Sequence, residues 1–239
     1  MKKASSLGSA PTHQETLNGL VYLAFQLFLL PAILQWFNGR LSRPLNTAEL
    51  NFVFFFINFL AVLLIFYSYL GKNLRQAVQH PIEVCQAVIL GLVAYYVCFY
   101  LVQQVICLLA PDFSNYNDAS IAAIMGANNS FLMCIGTVVL APPVEECFFR
   151  GLIFRNLYGK SPWLAYILSI LAFAVIHILG YIGAYSPLAL VMAVLQYLPA
   201  GIWLAWSYTK ANTLFAPILI HAVINAYALL TLTLSLIHI

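Results

Sequence analysis

The stretch Ala141-Pro142-Pro143-Val144-Glu145-Glu146-Cys147-Phe148-Phe149-Arg150-Gly151 sets two carboxylates and a guanidinium inside a run that is otherwise apolar. Roughly 20 consecutive apolar residues make a membrane span. An ionisable side chain at that depth costs a few kcal/mol at least, so it marks a functional site with a partner nearby. The fold and the chemistry are therefore read from the same eleven residues.

Outward from that stretch, 63% of the 239 residues are hydrophobic and 7% are charged, against about 25% charged in a soluble domain. A soluble globular protein is excluded. The fold class is all-α, a polytopic transmembrane helical bundle. Spans are expected near 18–37, 51–70, 83–109, 129–157, 163–182, 187–208 and 214–237, about seven in all. The fourth is expected to be interrupted at Pro142-Pro143, and the third is long enough to tilt or to include an interfacial turn. Residues 110–128 read as a polar loop, with Ile121 to Met125 as the alternative for an eighth short span. The organisation is a polar N-terminus at 1–17, N-terminal helices over 18–128, and a core at 129–239, all one integrated membrane domain.

A net charge of +3 spread over so few groups reports orientation and not a face for nucleic acid. The lipid bilayer is the expected environment, with no nucleic-acid partner. Lys2, Lys3, Lys72, Arg75, Arg155, Lys160 and Lys210 fall in loops on one side. Arg40 and Arg43 disagree. The majority makes the N-terminus cytoplasmic.

The first apolar segment is expected to be a retained span and not a cleaved signal peptide. The five cysteines lie in apolar segments without CxxC spacing and read as buried small hydrophobes. The closing LSLIHI reads as adapter read-through, so His238 is given no role.

Spacing divides the charges of the central stretch. Glu146 and Arg150 are i,i+4 and share a helix face, whereas Glu145 points about 100° away from Glu146. Glu146 is the expected ion-pair partner of Arg150. Glu145 is left free for a general base or a metal ligand. Pro143 suits the first turn of a new helix, which would put both carboxylates near a helix N-terminus.

Two more pairs at helical spacing follow: Phe173 with His177, and His221 with Asn225. A rise of ~1.5 Å per residue lets Glu145, His177, His221 and Asn225 meet at one level, on the cytoplasmic side of the membrane's middle. One chemistry is hydrolysis, with Glu145 and His177 taking a proton from water while His221 and Asn225 donate to the oxyanion. The other is a metal site with Glu145, His177 and His221 as ligands to a divalent ion such as Zn2+. A chelator separates the two. A transporter relaying protons is disfavoured because no internal repeat is found.

Glu145-Glu146-x-x-x-Arg150, Phe173-x-x-x-His177 and His221-x-x-x-Asn225, in this order on successive apolar segments, resemble the three motifs of the CPBP family. That family comprises CAAX proteases and bacteriocin-processing enzymes, also called the Abi family, including the type II CAAX prenyl endopeptidases. The resemblance covers about 129–230. It implies an intramembrane endopeptidase whose site opens towards the cytoplasm. In it Glu145 and His177 would activate water, and His221 and Asn225 would form the oxyanion hole. Glu146, Arg150 and Phe173 would support the site. The family has been described as metal-dependent and as glutamate-dependent, so both chemistries stay open.

A bacterial plasma-membrane protein acting on a peptide or a membrane protein is the expectation. The alternative is a non-catalytic bacteriocin-immunity or scaffold protein on the same fold.

Overall fold

The computed structural model describes residues 7–127 and 130–237. Lys2, Lys3 and His238 lie outside the described residues. The described residues form ten helices: α1 (His13–Phe28), α2 (Leu30–Asn38), α3 (Thr47–Ile65), α4 (Tyr67–Gln79), α5 (Pro81–Leu109), α6 (Tyr116–Ala127), α7 (Phe131–Tyr158), α8 (Pro162–Ile178), α9 (Pro187–Ala211) and α10 (Phe215–Ile237). No strand occurs among the described residues. Among the described residues six helices are long and apolar enough to cross a membrane, and the number is seven if the bent pair α1–α2 counts as one span. The protein is an all-α polytopic bundle.

Local chemistry sets the helix starts. Thr12 and Asn46 form capping boxes with Glu15 and Glu49, so each helix start has two backbone N–H groups satisfied reciprocally. Ser161 and Ser186 cap α8 and α9, each followed by a proline at the first helical position, where the missing N–H costs nothing. α9 ends on Asn212 in the left-handed region, at φ 54°. Its side chain accepts the N–H of Gly8, and Arg155 donates to the carbonyls of Leu7 and Gly8 at 2.8 and 2.7 Å. The N-terminal arm is thus fixed to the end of the bundle that carries Lys160 and Lys210.

Several boundaries depart from expectation. The second span stops at Ile65, and α4 is a separate amphipathic helix held at that same end. The Tyr69 N–H donates to Glu15 at 2.7 Å, and the Asn73 side chain accepts the Leu214 N–H at 2.8 Å. The first span is broken by 45° between α1 and α2, beside Pro31 near the start of α2. Residues 116–127 form a helix of 12 residues, too short to cross, since a span needs about 20. The third span is one uninterrupted helix of 29 residues.

Of the cysteines only Cys147 is buried, while Cys85, Cys107 and Cys134 are exposed. The expectation of burial fails because an apolar side chain in a span can face lipid as readily as the protein interior.

Pro142-Pro143 does not interrupt the fourth span. π-helical turns at Ile135–Leu140 and Cys147–Arg155 flank a short α segment, Ala141–Glu146, and the Ala141 N–H reaches back to Gly136. A widened turn absorbs the donors that the prolines lack, and the helix continues. The two glutamates therefore sit in mid-helix and not at a free N-terminus.

A buried cluster of Val62, Phe66, Tyr69, Cys147, Phe148, Leu152, Phe154, Tyr208 and Leu214 fills the bundle towards the basic end. A second cluster of Tyr95, Phe149, Phe173, Leu204 and Ile220 lies beside it. The charged stretch lies among these two.

Candidate active site

Arg150 is wholly buried and donates to Glu146 at 3.0 Å and to the Gly201 carbonyl at 3.2 Å. Its guanidinium carbon also lies 4.8 Å from the centre of the Phe173 ring, a cation–π contact strengthened by desolvation. The same Glu146 oxygen takes His221 Nδ1 at 2.9 Å. One carboxylate thus holds a guanidinium from its own helix and an imidazole from α10.

His177 is fixed in a similar way. Its Nδ1 donates to the Phe173 carbonyl at 2.7 Å, and its ring stacks on Tyr197 with centroids 4.4 Å apart. A carbonyl and a carboxylate only accept hydrogen bonds, so both imidazoles carry their proton on Nδ1. Nε2 of each ring is left for another partner.

Both Nε2 atoms face one oxygen. Glu145 Oε2 stands 3.8 Å from His177 Nε2 and 3.8 Å from His221 Nε2. These gaps exceed hydrogen-bond length. Oε2 is buried without a hydrogen-bond partner, while the side chain as a whole keeps a quarter of its exposure. The rest of the carboxylate lines the adjoining cavity.

Asn225 lines that cavity too, with its Nδ2 donating to the Thr137 carbonyl at 2.9 Å. Thr137 lies in the first π-helical turn. The second Nδ2 hydrogen remains for a ligand. All four residues singled out from the sequence therefore line one cavity together with Phe173, with Glu146 and Arg150 behind it.

The donor set has the character of a metal site, because each imidazole nitrogen away from Glu145 is already engaged. The spacing does not fit. Among the described residues no three His, Cys, Asp or Glu side chains form a group that could hold a metal. The 3.8 Å separations are wider than the ~3.3 Å edge of a tetrahedron with bonds of about 2.0 Å.

The cavity has a volume of about 420 Å³ and continues past Gln196 and Tyr197 to Asn115, Asp118, Ser120 and Tyr181. A second cavity of about 400 Å³, lined mainly by Leu23, Leu27, Phe54, Phe148 and Ile176, reaches Glu145 and His177 from the other side. Helix α6 covers the first, held by Asn115 to Gln196 at 2.6 Å and Ser120 to Tyr181 at 3.3 Å.

These covering residues stand at the end of the bundle opposite Lys160 and Lys210. His177 is only four residues from Tyr181, where its helical run stops, and the Arg150 pair with the buried cluster closes the basic side. Tyr197, Thr137, Gln196 and Asp118 were not singled out in the sequence. The only hint was a proline, Pro199, inside an apolar span next to Tyr197.

A bundle of helices long and apolar enough to cross a membrane thus places a carboxylate and two imidazoles on one cavity. Residues 127–227 match the family model described as type II CAAX prenyl endopeptidase Rce1-like. The match agrees with the resemblance that the three motifs carry, to a family of membrane endopeptidases. No curated protein and no solved structure matches the chain.

Proposed function

We propose that the chain hydrolyses a peptide bond of a peptide or membrane-associated protein, with Glu145 and His177 activating the water. The observation that carries this reading is the Glu145 carboxylate, whose Oε2 is buried without a hydrogen-bond partner and faces the Nε2 atoms of His177 and His221. A carboxylate held so in a bundle core has no packing use.

The water gives a proton to the Glu145–His177 pair as its oxygen bonds to the substrate carbonyl carbon. The carbonyl oxygen becomes an oxyanion, for which Asn225 has a free Nδ2 hydrogen. His221 donates from Nε2 only when it carries a second proton, so it joins the hole as part of the same proton network. When the C–N bond breaks, the stored proton passes to the leaving amine. The products are a carboxylic acid and an amine, with atoms and charge balanced. Glu146 holds both His221 and Arg150, and Phe173 holds His177.

The test is the purified chain in proteoliposomes with a quenched fluorescent peptide library. Wild type should cleave, and His177→Ala should lose about 10²- to 10⁴-fold. Activity should persist in a chelator. Loss in chelator with recovery on adding Zn2+ would instead put a metal on Glu145, His177 and His221. Equal cleavage by His177→Ala would remove His177 from the mechanism, and no cleavage by wild type would favour the non-catalytic immunity or scaffold reading.

A further inference from the structure

Asp118 is a carboxylate of the first cavity that the proposed hydrolysis does not use. It stands in the first turn of α6 and lines the same cavity as Glu145, His177 and Asn225. A carboxylate in a first turn commonly serves the helix start, by capping it or by facing its dipole. Asn115 already caps this one, because its side-chain oxygen accepts the N–H groups of Asn117 and Asp118 at 2.9 and 3.3 Å. Asn115 is itself anchored by donating to Gln196 on α9 at 2.6 Å. Capping therefore leaves the Asp118 side chain without a task.

The protein does not neutralise it either. Burial raises its carboxyl unopposed, and among the described residues no side chain brings it a hydrogen bond or a positive charge. Among the described residues no Lys or Arg lines the cavity, and its two carboxylates are Glu145 and Asp118. A charge shielded from water is costly unless it is paired. An opposite charge brought within a few Å favours the ionised form. The missing partner is a cation.

The walls around Asp118 suit one. Tyr95, Tyr181 and Tyr197 line the same cavity, and Asp118 is close enough to Tyr95 and Tyr197 for its charge to act on both. Tyrosine faces attract ammonium and guanidinium groups. Gln196 accepts from Asn115 and keeps a second lone pair on its amide oxygen. The pocket also lies beside the reacting centre, because the Tyr197 ring stacks on His177 with centroids 4.4 Å apart. Tyr181 stands four residues beyond His177, roughly 6 Å along the helix, and Ser120 of α6 bonds its hydroxyl at 3.3 Å. An extended peptide advances ~3.3 Å per residue, so the pocket meets a substrate residue roughly two to three positions from the bond attacked.

We propose that Asp118 is a specificity residue, which with Tyr95, Tyr181 and Tyr197 holds a cationic nitrogen group of the substrate a few residues from the scissile bond. The group is an ammonium or a guanidinium, carried by a lysine or arginine side chain or by a free amino terminus. This rests on the endopeptidase reading for the word substrate, and on the cavity for the preference for positive charge. Asp118 touches none of the reacting atoms, so it sets which peptide is held and not how the bond is broken.

The test separates binding from cleavage. The full chain carrying Glu145→Gln is purified in detergent and titrated with a fluorescent peptide of Ala, Leu and Gly, blocked at both ends, through which a single lysine is scanned. Norleucine replaces lysine in the control, and a third arm carries norleucine with a free amino terminus. Lysine should bind at least about tenfold more tightly than norleucine at one position or two adjacent ones. Adding Asp118→Asn should abolish that difference, and Asp118→Glu should keep it. Tighter binding of the free amino terminus than of any lysine, lost in Asp118→Asn, would assign the pocket to the terminal amine. Equal binding of all arms, or a lysine preference that survives Asp118→Asn, overturns the proposal. The same peptides are then given to the chain with Glu145 intact. Asp118-dependent binding without any cleavage would leave the cation pocket standing and remove the proteolytic reading. Cleavage indifferent to lysine would do the reverse.

Discussion

α7 and α3 are both membrane spans, and they solve opposite problems. Half of the most apolar window of α7 is buried inside the protein, against 17% for α3. α7 carries Glu145, Glu146 and Arg150, while α3 presents Phe56, Leu60, Leu63 and Leu64 outward. Lipid solvates leucine as well as a protein core does, so α3 needs few neighbours. A span that carries charge must be enclosed, and its partners must come from other helices. The difference explains why Gly201, Phe173 and His221, from three helices, all touch the Glu146–Arg150 pair.

If that contrast is right, equal changes in the two spans should have unequal costs. Arg150→Met removes one half of a buried pair and strands Glu146, which should cost about 3–5 kcal/mol. Thermal unfolding in detergent would read this as the largest loss in the molecule. A small shift would mean that Glu146 is not held as a buried charge.

Asp118 lies between these extremes, under the α6 cover and outside the spans. Burial pushes its carboxyl up to about 6 from 3.8. The folded value lies above the unfolded one, so ionising Asp118 costs stability. That stability is present below the ordinary carboxylate range and is lost as pH rises through 6. Asp118→Asn should therefore stabilise by roughly 1–3 kcal/mol at neutral pH and by almost nothing near ~pH 4. A gain that ignored pH would break the account of its burial. At the small end, Leu64→Ala on the outer face of α3 should change stability by less than about 0.5 kcal/mol.

The sequence carried the spans well because twenty apolar residues admit few readings in water or lipid. It also carried the pairing of Glu146 with Arg150, since four-residue spacing on a helix is a geometric fact. The course of the chain through Pro142-Pro143 was hidden, because π turns depend on a carbonyl finding a partner elsewhere. Here Thr137 finds Asn225, 88 residues away.

The filling of the half that carries Lys160 and Lys210 was hidden for a related reason. Depth counted along single helices places Glu145 and His177 near one level, but it does not say where side chains such as Phe148 and Tyr208 fill the bundle. Helix α4 was missed as a separate element because its exposed face continues the apolar character of α3.

The division of labour between adjacent glutamates is the central claim, and it separates stability from activity. Glu145→Gln and Glu146→Gln should be purified side by side and assayed for peptide cleavage and for unfolding temperature. Glu145→Gln should lose at least about 10²-fold in cleavage while its unfolding temperature stays at that of the wild type. Glu146→Gln should unfold at a lower temperature, because Arg150 and His221 lose their shared acceptor. Cleavage at the wild-type rate by Glu145→Gln would contradict the assignment outright.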